Sequence, residues 1–340
     1  MTTKPDRPAD RGVSPVPAGT AGSELKEVHA EAVGSAATDS HSGATRRAYH
    51  AAWRQFVAWC DQHGYHPLPA TPETVAAYLT DREEAGRSFA TLKVDRAGIR
   101  YFHEARGLDS PTQSAGVSRV LRGLGRRAAA AKLSQKRGQA TGLTARNLAA
   151  IVATAHQRRV YMGGARESEK AAKRRGDVDI ALISVMRDAL LRRSEAIALR
   201  WADVEFRDDG TALLTIRRSK TDQEGEGAVQ FIGTDATAAL SAMRPDGKDE
   251  AAVSTQQVFG LRTGESVARR IRAAAKAAGL KGSFTGHSPR VGMAQDLAEA
   301  GATTLDLMLV GRWKAHRMPA HYARGQTAAN GAVAKYYRTR

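Results

Sequence analysis

The sequence predicts a mainly α fold in two domains, a helical amino-terminal one and a mixed α/β one with a small antiparallel sheet. Three observations predict it. Apolar residues recur with a helical period through four segments between Thr45 and Ala131. A basic stretch without any hydrophobic period, KLSQKRGQATG at 132–142, then interrupts the pattern. Beyond it the period drops to two only once, between about 204 and 233. With 340 residues and 42% hydrophobic content, the chain is long enough to bury two cores.

Residues 1–43 are rich in Pro, Ala, Gly, Ser and Thr and poor in large apolar side chains, so a disordered tail is expected there. Within it, SELKEVHAEAV at Ser23–Val33 is a short helix candidate with nothing to indicate that it packs. The first helix carries Tyr49, Trp53, Phe56 and Cys60 at i, i+4, i+7 and i+11 and ends near His63-Gly64. Cys60, the single cysteine, can form neither an internal disulfide nor a zinc cage and reads as a buried structural thiol. Thr71-Pro72 is an N-cap followed by a proline at the first helical position, with Val75, Tyr78 and Leu79 inward. A third helix, Ser88 to Arg106, buries Leu92, Ile99 and Phe102. A fourth, from about 112 to 131, buries Val117, Val120, Leu121 and Leu124 and turns Arg119, Arg122, Arg126 and Arg127 outward.

The second domain opens with Thr144 capping a helix that bears Leu148, Ile151 and Val152. A buried helix from Val178 to Leu191 runs into LLRRSEAIALRWADVEF. VEF, the Asp208-Asp209-Gly210 turn, ALLTIRRSK and AVQFIG then read as three antiparallel strands, with Lys220 at a strand end. The remainder is helical, and Gly286 to Arg324 reads as two helices.

A formal net charge of +17, from 52 basic and 35 acidic residues, attracts a polyanion, so nucleic acid is the expected partner and its binding should be salt-dependent. Lys93, Arg96 and Arg100, at i, i+3 and i+7 on the third helix, suit a helix lying against phosphates or in a major groove; a solvated charged face is the plain alternative. Lys136 and Arg137 in the basic linker are positioned by sequence to track a backbone. No 18-residue apolar run, lipidation signal or secretory segment is present, so a cytoplasmic chain without a membrane partner is expected.

Arg192 and Glu195 in ALLRRSEAIALRW, Lys220 in RRSKTDQ, His287 and Arg290 in GHSPR, Trp313 in VGRWK and Tyr322 in PAHYAR complete the pattern. Over residues 44–340 this order resembles the tyrosine recombinase, or phage integrase, family, as does the interval of nine residues from Trp313 to Tyr322. Trp at 313, where most members carry His, favours the Cre-like branch. His-x-x-Arg alone is a weak signal in a basic chain; the whole ordered set is specific.

The resemblance implies a two-domain DNA clamp: a core-binding domain at 44–131, a linker at 132–142 and a catalytic domain at 143–340. It also implies a homotetramer on two double-stranded sites with inverted repeats, coupled through an exchange segment at 327–340. Tyr322 would be the nucleophile and Lys220 the general acid. Arg192 and Arg290 would hold the phosphate, His287 and Trp313 would donate hydrogen bonds, and Glu195 would orient the set. No metal or other cofactor is called for. Arg193 competes with Arg192 for its role, but the Arg-x-x-Glu spacing and the preceding Leu-Leu select Arg192, placing Arg193 about 100° round the helix. A DNA-binding protein without cutting activity and a type IB topoisomerase are the alternatives.

Overall fold

In the computed structural model, which describes residues 41–134, 140–160, 163–217, 227–245, 249–322 and 336–337, the chain divides into two units, 1–137 and 138–340. The first contains helices α1 (Gly43–His63), α2 (Pro72–Glu84), α3 (Phe89–Glu104) and α4 (Ala115–Ser134). The hydroxyls of Ser42, Thr71 and Ser88 start α1 to α3 by accepting the N–H groups of Thr45, Thr74 and Thr91, donors that would otherwise have no partner. Gly64, at φ 73°, ends α1 in the left-handed conformation that glycine adopts without strain.

Phe56, Cys60, Val75, Tyr78, Leu79, Leu92, Ile99 and Leu124 form the buried centre. Tyr49, assigned by spacing to the inner face of α1, is only half buried and packs on Tyr101 instead. The fourth helix starts later than its pattern suggests, because Pro111–Gln113 forms a separate 3-10 turn. Its far end reaches Ser134, so the expected linker begins with helix. Gly98 lets α3 approach α1 closely: a Cβ there would stand 3.0 Å from the Tyr49 carbonyl oxygen and from the Ala52 methyl.

The second unit runs α5 (Ala145–Thr154), α6 (Glu169–Asp188), α7 (Arg193–Ala198), β1 (Val204–Phe206), β2 (Ala212–Ile216), β3 (Ala228–Ile232), α8 (Thr234–Ser241), α9 (Glu250–Thr255), α10 (Gly264–Ala277), α11 (Ser288–Glu299), α12 (Thr304–Gly311) and α13 (Arg317–Tyr322). The strands pair antiparallel in the order β1-β2-β3, with Val204 opposite Leu214 and Ala212 opposite Ile232. Leu182, Met186, Leu191, Trp201, Leu214, Ile232 and Ile271 lie in the core of this unit.

Helix α6 begins nine residues before Val178, the start that apolar content alone suggests. Ser168 caps it, and its polar first half is held by ion pairs, Arg175 to Glu167 at 2.9 Å and Asp179 to Arg270 at 2.8 Å. Among the described residues, 286–322 form three helices rather than two, because left-handed residues break the segment at Gly301 (φ 95°) and again at Arg312 (φ 52°).

The end of the expected linker is fixed to this unit. Thr141 N–H donates to the Ser283 carbonyl at 2.9 Å, and Leu143 N–H donates to that of Ser288 at 2.8 Å. Leu143 crosses α11 at Gly292, where a Cβ would fall 1.9 Å from the Leu143 carbonyl oxygen. That crossing anchors the helix carrying Arg290. Among the described residues, no helix is long and apolar enough to cross a membrane.

Candidate active site

The site forms where α6 stops. Leu190, at φ 45°, turns the chain, and Arg192 follows in an extended conformation (φ −78°, ψ 157°) as the residue that caps α7. Arg192 is therefore outside the helix, and the 100° argument for separating it from Arg193 does not apply. Hydrogen bonding separates them instead. Glu195, in the first turn of α7, accepts the Arg192 backbone N–H at 2.8 Å and its Nη1 at 2.8 Å. Arg193 lies across Gly264 and Gly286, where a Cβ on Gly286 would meet its Cδ at 2.1 Å.

Oε2, the Glu195 oxygen that takes the Arg192 backbone N–H, also accepts Arg312 Nη2 at 2.6 Å. With its side chain 2% exposed, Glu195 is a buried carboxylate between two guanidinium groups. Burial alone would raise its pKa. Arg312, followed by the N–H and guanidinium of Arg192, outweighs that and holds it below the ordinary value.

Sequence reasoning missed Arg312. The nearest sequence signal was the glycine of Gly311-Arg312-Trp313, which leaves room for the indole at the end of α12. A Cβ on Gly311 would come within 2.1 Å of Trp313 Cζ3; the next residue, Arg312, makes the left-handed turn at φ 52°, and its side chain returns to Glu195.

Arg290, on α11, is buried and donates Nη1 to the Leu190 carbonyl and Nη2 to the Gly311 carbonyl. Its guanidinium carbon lies 4.5 Å from the Trp313 ring centroid, a cation–π contact. Burial, then the charges of Arg192 and Arg312, pull its pKa down to about 9, so it remains a cation at neutral pH. The Trp313 and Tyr322 rings are 5.6 Å apart, with Tyr322 half buried on α13. His287 precedes α11 and is exposed; partial loss of solvent around it, followed by the charges of Arg193, Arg290 and Arg192, holds its pKa below the ordinary 6.5.

Lys220 lies outside the described residues, as do Lys136 and Arg137. Lys93, Arg96 and Arg100 line a cavity of about 460 Å³ between α3 and α4 together with Arg122. Their engagement differs. Arg96 donates to the Thr112 carbonyl through Nε and Nη2 (3.2 and 2.9 Å), tying down the 3-10 turn. Arg100 pairs with Glu104 at 2.6 Å, and Lys93 sits 4.8 Å from the Phe89 centroid.

Three guanidinium groups balanced by one carboxylate, with a phenol and an indole beside them, make a site for an anion that presents several oxygens to a tyrosine hydroxyl. A phosphodiester fits that description, and the fold and site together define a DNA-cutting class that works through tyrosine. Residues 143–328 match the phage integrase family, and the chain belongs to that family of tyrosine recombinases, enzymes that cleave and rejoin DNA.

Among its relatives is the Cre recombinase of Escherichia phage P1, 24% identical over 306 residues that cover 83% of this chain and 84% of that one. A XerD homologue described as an integrase/recombinase of Selenomonas ruminantium is 27% identical over 308 residues, 86% of this chain and 85% of that one. The fold is similar to the Tn1549 transposon integrase bound to transposon right-end DNA (TM-score 0.54, 14% identity, 83% of this chain and 89% of that one). It is also similar to XerH recombinase in a post-cleavage complex with palindromic difH substrate (TM-score 0.51, 13% identity, 79% and 72%).

Proposed function

We propose that this recombinase exchanges strands between two specific double-stranded DNA sites, each an inverted repeat, through a 3′-phosphotyrosine at Tyr322 and a Holliday junction. The observation that carries the reading is the buried chain of contacts Arg192–Glu195–Arg312 beside Arg290, Trp313 and Tyr322. The Tyr322 oxygen attacks phosphorus, the bond from phosphorus to the 5′ oxygen breaks, and the phenolic proton passes to solvent or to the His287 imidazole. Lys220 supplies a proton to the departing 5′ oxygen.

Negative charge that builds on the non-bridging oxygens meets Arg192 and Arg290, already oriented by their own partners, so little reorganisation accompanies the step. Each covalent link conserves the phosphodiester, and the reverse attack by a 5′ hydroxyl from the other site rejoins the strands without ATP or metal. Glu195 and Arg312 are positioning residues: they fix the guanidinium of Arg192 and the turn that presents Trp313.

The amino-terminal unit serves as the core-binding domain, with Lys93, Arg96 and Arg100 on the DNA side and Lys136 and Arg137 following the backbone. Four protomers on two sites, in the cytoplasm, are coupled by segment 327–340 docking into the neighbouring subunit. Such a head-to-tail contact closes into a ring. A supercoiled plasmid bearing two copies of the target site tests the reading. Exchange of the flanking segments supports it; relaxation without exchange assigns a topoisomerase, and binding without strand cleavage assigns a non-cutting DNA-binding protein.

A further inference from the structure

The groove between α3 and α4 has an apolar floor that includes Phe89 and Leu121, and a rim of four cations, Lys93, Arg96, Arg100 and Arg122. Phosphates need the cations; they have no use for the floor. The floor is also constructed. Phe89 lies over Gly125, where a Cβ would approach its Cζ to 2.9 Å, so the absence of a side chain at 125 keeps the ring in place.

The described residues of the first unit begin beside this groove. His41 packs edge-on against Tyr101 at 5.7 Å, and Tyr101 lies one helical turn beyond Ala97, which lines the groove. Residues 21–40 carry four acidic side chains and one lysine, against the strongly basic balance of the whole chain. Drawn as a helix, Ser23–Val33 places Leu25, Val28 and Ala32 in one stripe and Glu24, Glu27 and Glu31 in the adjacent one. The eight residues from Val33 to His41 span up to about 27 Å when extended, and the stretch of α3 from Lys93 to Arg100 is about 10 Å long.

We infer that the acidic segment Glu24–Val33 docks in the α3–α4 groove of its own chain when DNA is absent, its leucine and valine on the Phe89–Leu121 floor and its glutamates against the rim. The segment thereby competes with DNA and weakens binding to sequences that offer only phosphates, while a full target site displaces it. Affinity for any DNA falls by the fraction of molecules with the groove closed, and the fall is largest at low salt, where the contacts between glutamates and rim are least screened. The inference rests on the proposed DNA role of this face.

The test measures binding of the full chain to random duplex DNA at low and high salt. The double variant L25S/V28S keeps every charge and removes the apolar stripe. It is expected to bind random DNA about fivefold more tightly at low salt. Changing the glutamates alone would not serve, since a less acidic chain binds DNA better with or without docking. In the DNA-free protein, carbodiimide coupling should join Glu27 or Glu31 to Lys93, and the link should disappear in L25S/V28S and on addition of DNA.

Equal affinity of L25S/V28S and the unmodified chain, or no carboxylate link to Lys93, overturns the inference. A separate pair, Lys93→Glu and Arg122→Glu, examines the underlying reading: loss of DNA affinity in these variants with no effect of L25S/V28S refutes the docking and leaves the DNA face intact. Unchanged DNA affinity in the pair refutes the DNA face itself, and the docking proposal with it.

Discussion

Replacing Glu195 by Gln keeps the side chain's shape and removes the one negative charge among Arg192, Arg290 and Arg312. Two charge-assisted contacts are weakened, at 2.8 Å to Arg192 and 2.6 Å to Arg312, both well shielded from water. Removing one partner of a buried ion pair costs about 3–5 kcal/mol. The amide oxygen of Gln still accepts the Arg192 N–H, which places the loss near the lower end, about 3 kcal/mol. For a unit of some two hundred residues, that lowers Tm by about 6–12 °C.

The pH dependence gives the sharper check. Because the folded pKa of Glu195 lies below its ordinary 4.5, its stabilisation is complete above about pH 4.5 and is lost as pH falls through the folded value. Calorimetry from pH 7 to 3 should therefore show the Tm gap between wild type and E195Q closing below about pH 4.5, as protonated Glu195 comes to resemble Gln. A gap that is absent at pH 7, or one that persists unchanged at pH 3, refutes the bridging role.

Arg192→Ala should lose about 10² to 10³ in strand-cleavage rate, with Arg193→Ala far less affected; equal losses in a single-turnover assay would contradict the assignment. Lys220→Ala should cleave an ordinary phosphodiester slowly and a bridging 5′-phosphorothiolate at near wild-type rate, because sulfur leaves without a proton; equal slowing on both would make Lys220 a phosphate clamp. Deleting 328–340 should leave single-site binding in a native gel while abolishing paired-site complexes and junctions; normal junction formation would reject the tail exchange.

Much of the first unit was legible because two of its helix starts are written in single residues, Thr71 and Ser88, where an apolar period begins; Ser42, which caps α1, falls within the stretch expected to be tail. The sheet was legible from alternation and the Asp-Asp-Gly turn. The start of α6 was not, because its first half is stabilised by Arg175, Glu167, Asp179 and Arg270, which meet only in three dimensions.

Resemblance named the family and most of the site, since Arg192, His287, Arg290, Trp313 and Tyr322 stand in ordered motifs. Arg312 escaped it. Its role arises from a left-handed backbone turn beside the packing of Trp313 on Gly311, and one-dimensional spacing does not show such a turn. The same limit explains why Arg192 was placed inside a helix that it caps.

The central claim is that Tyr322 is the residue that becomes covalently joined to DNA. A duplex nicked close to the scissile phosphate, so that the released fragment diffuses away, traps the intermediate, and peptide mapping by mass spectrometry identifies the tyrosine attached. Wild type should yield an adduct on the peptide containing Tyr322, and Tyr322→Phe should bind the same duplex and yield none. An adduct that persists in Tyr322→Phe, or one that maps to Tyr336 or Tyr337, would contradict the account.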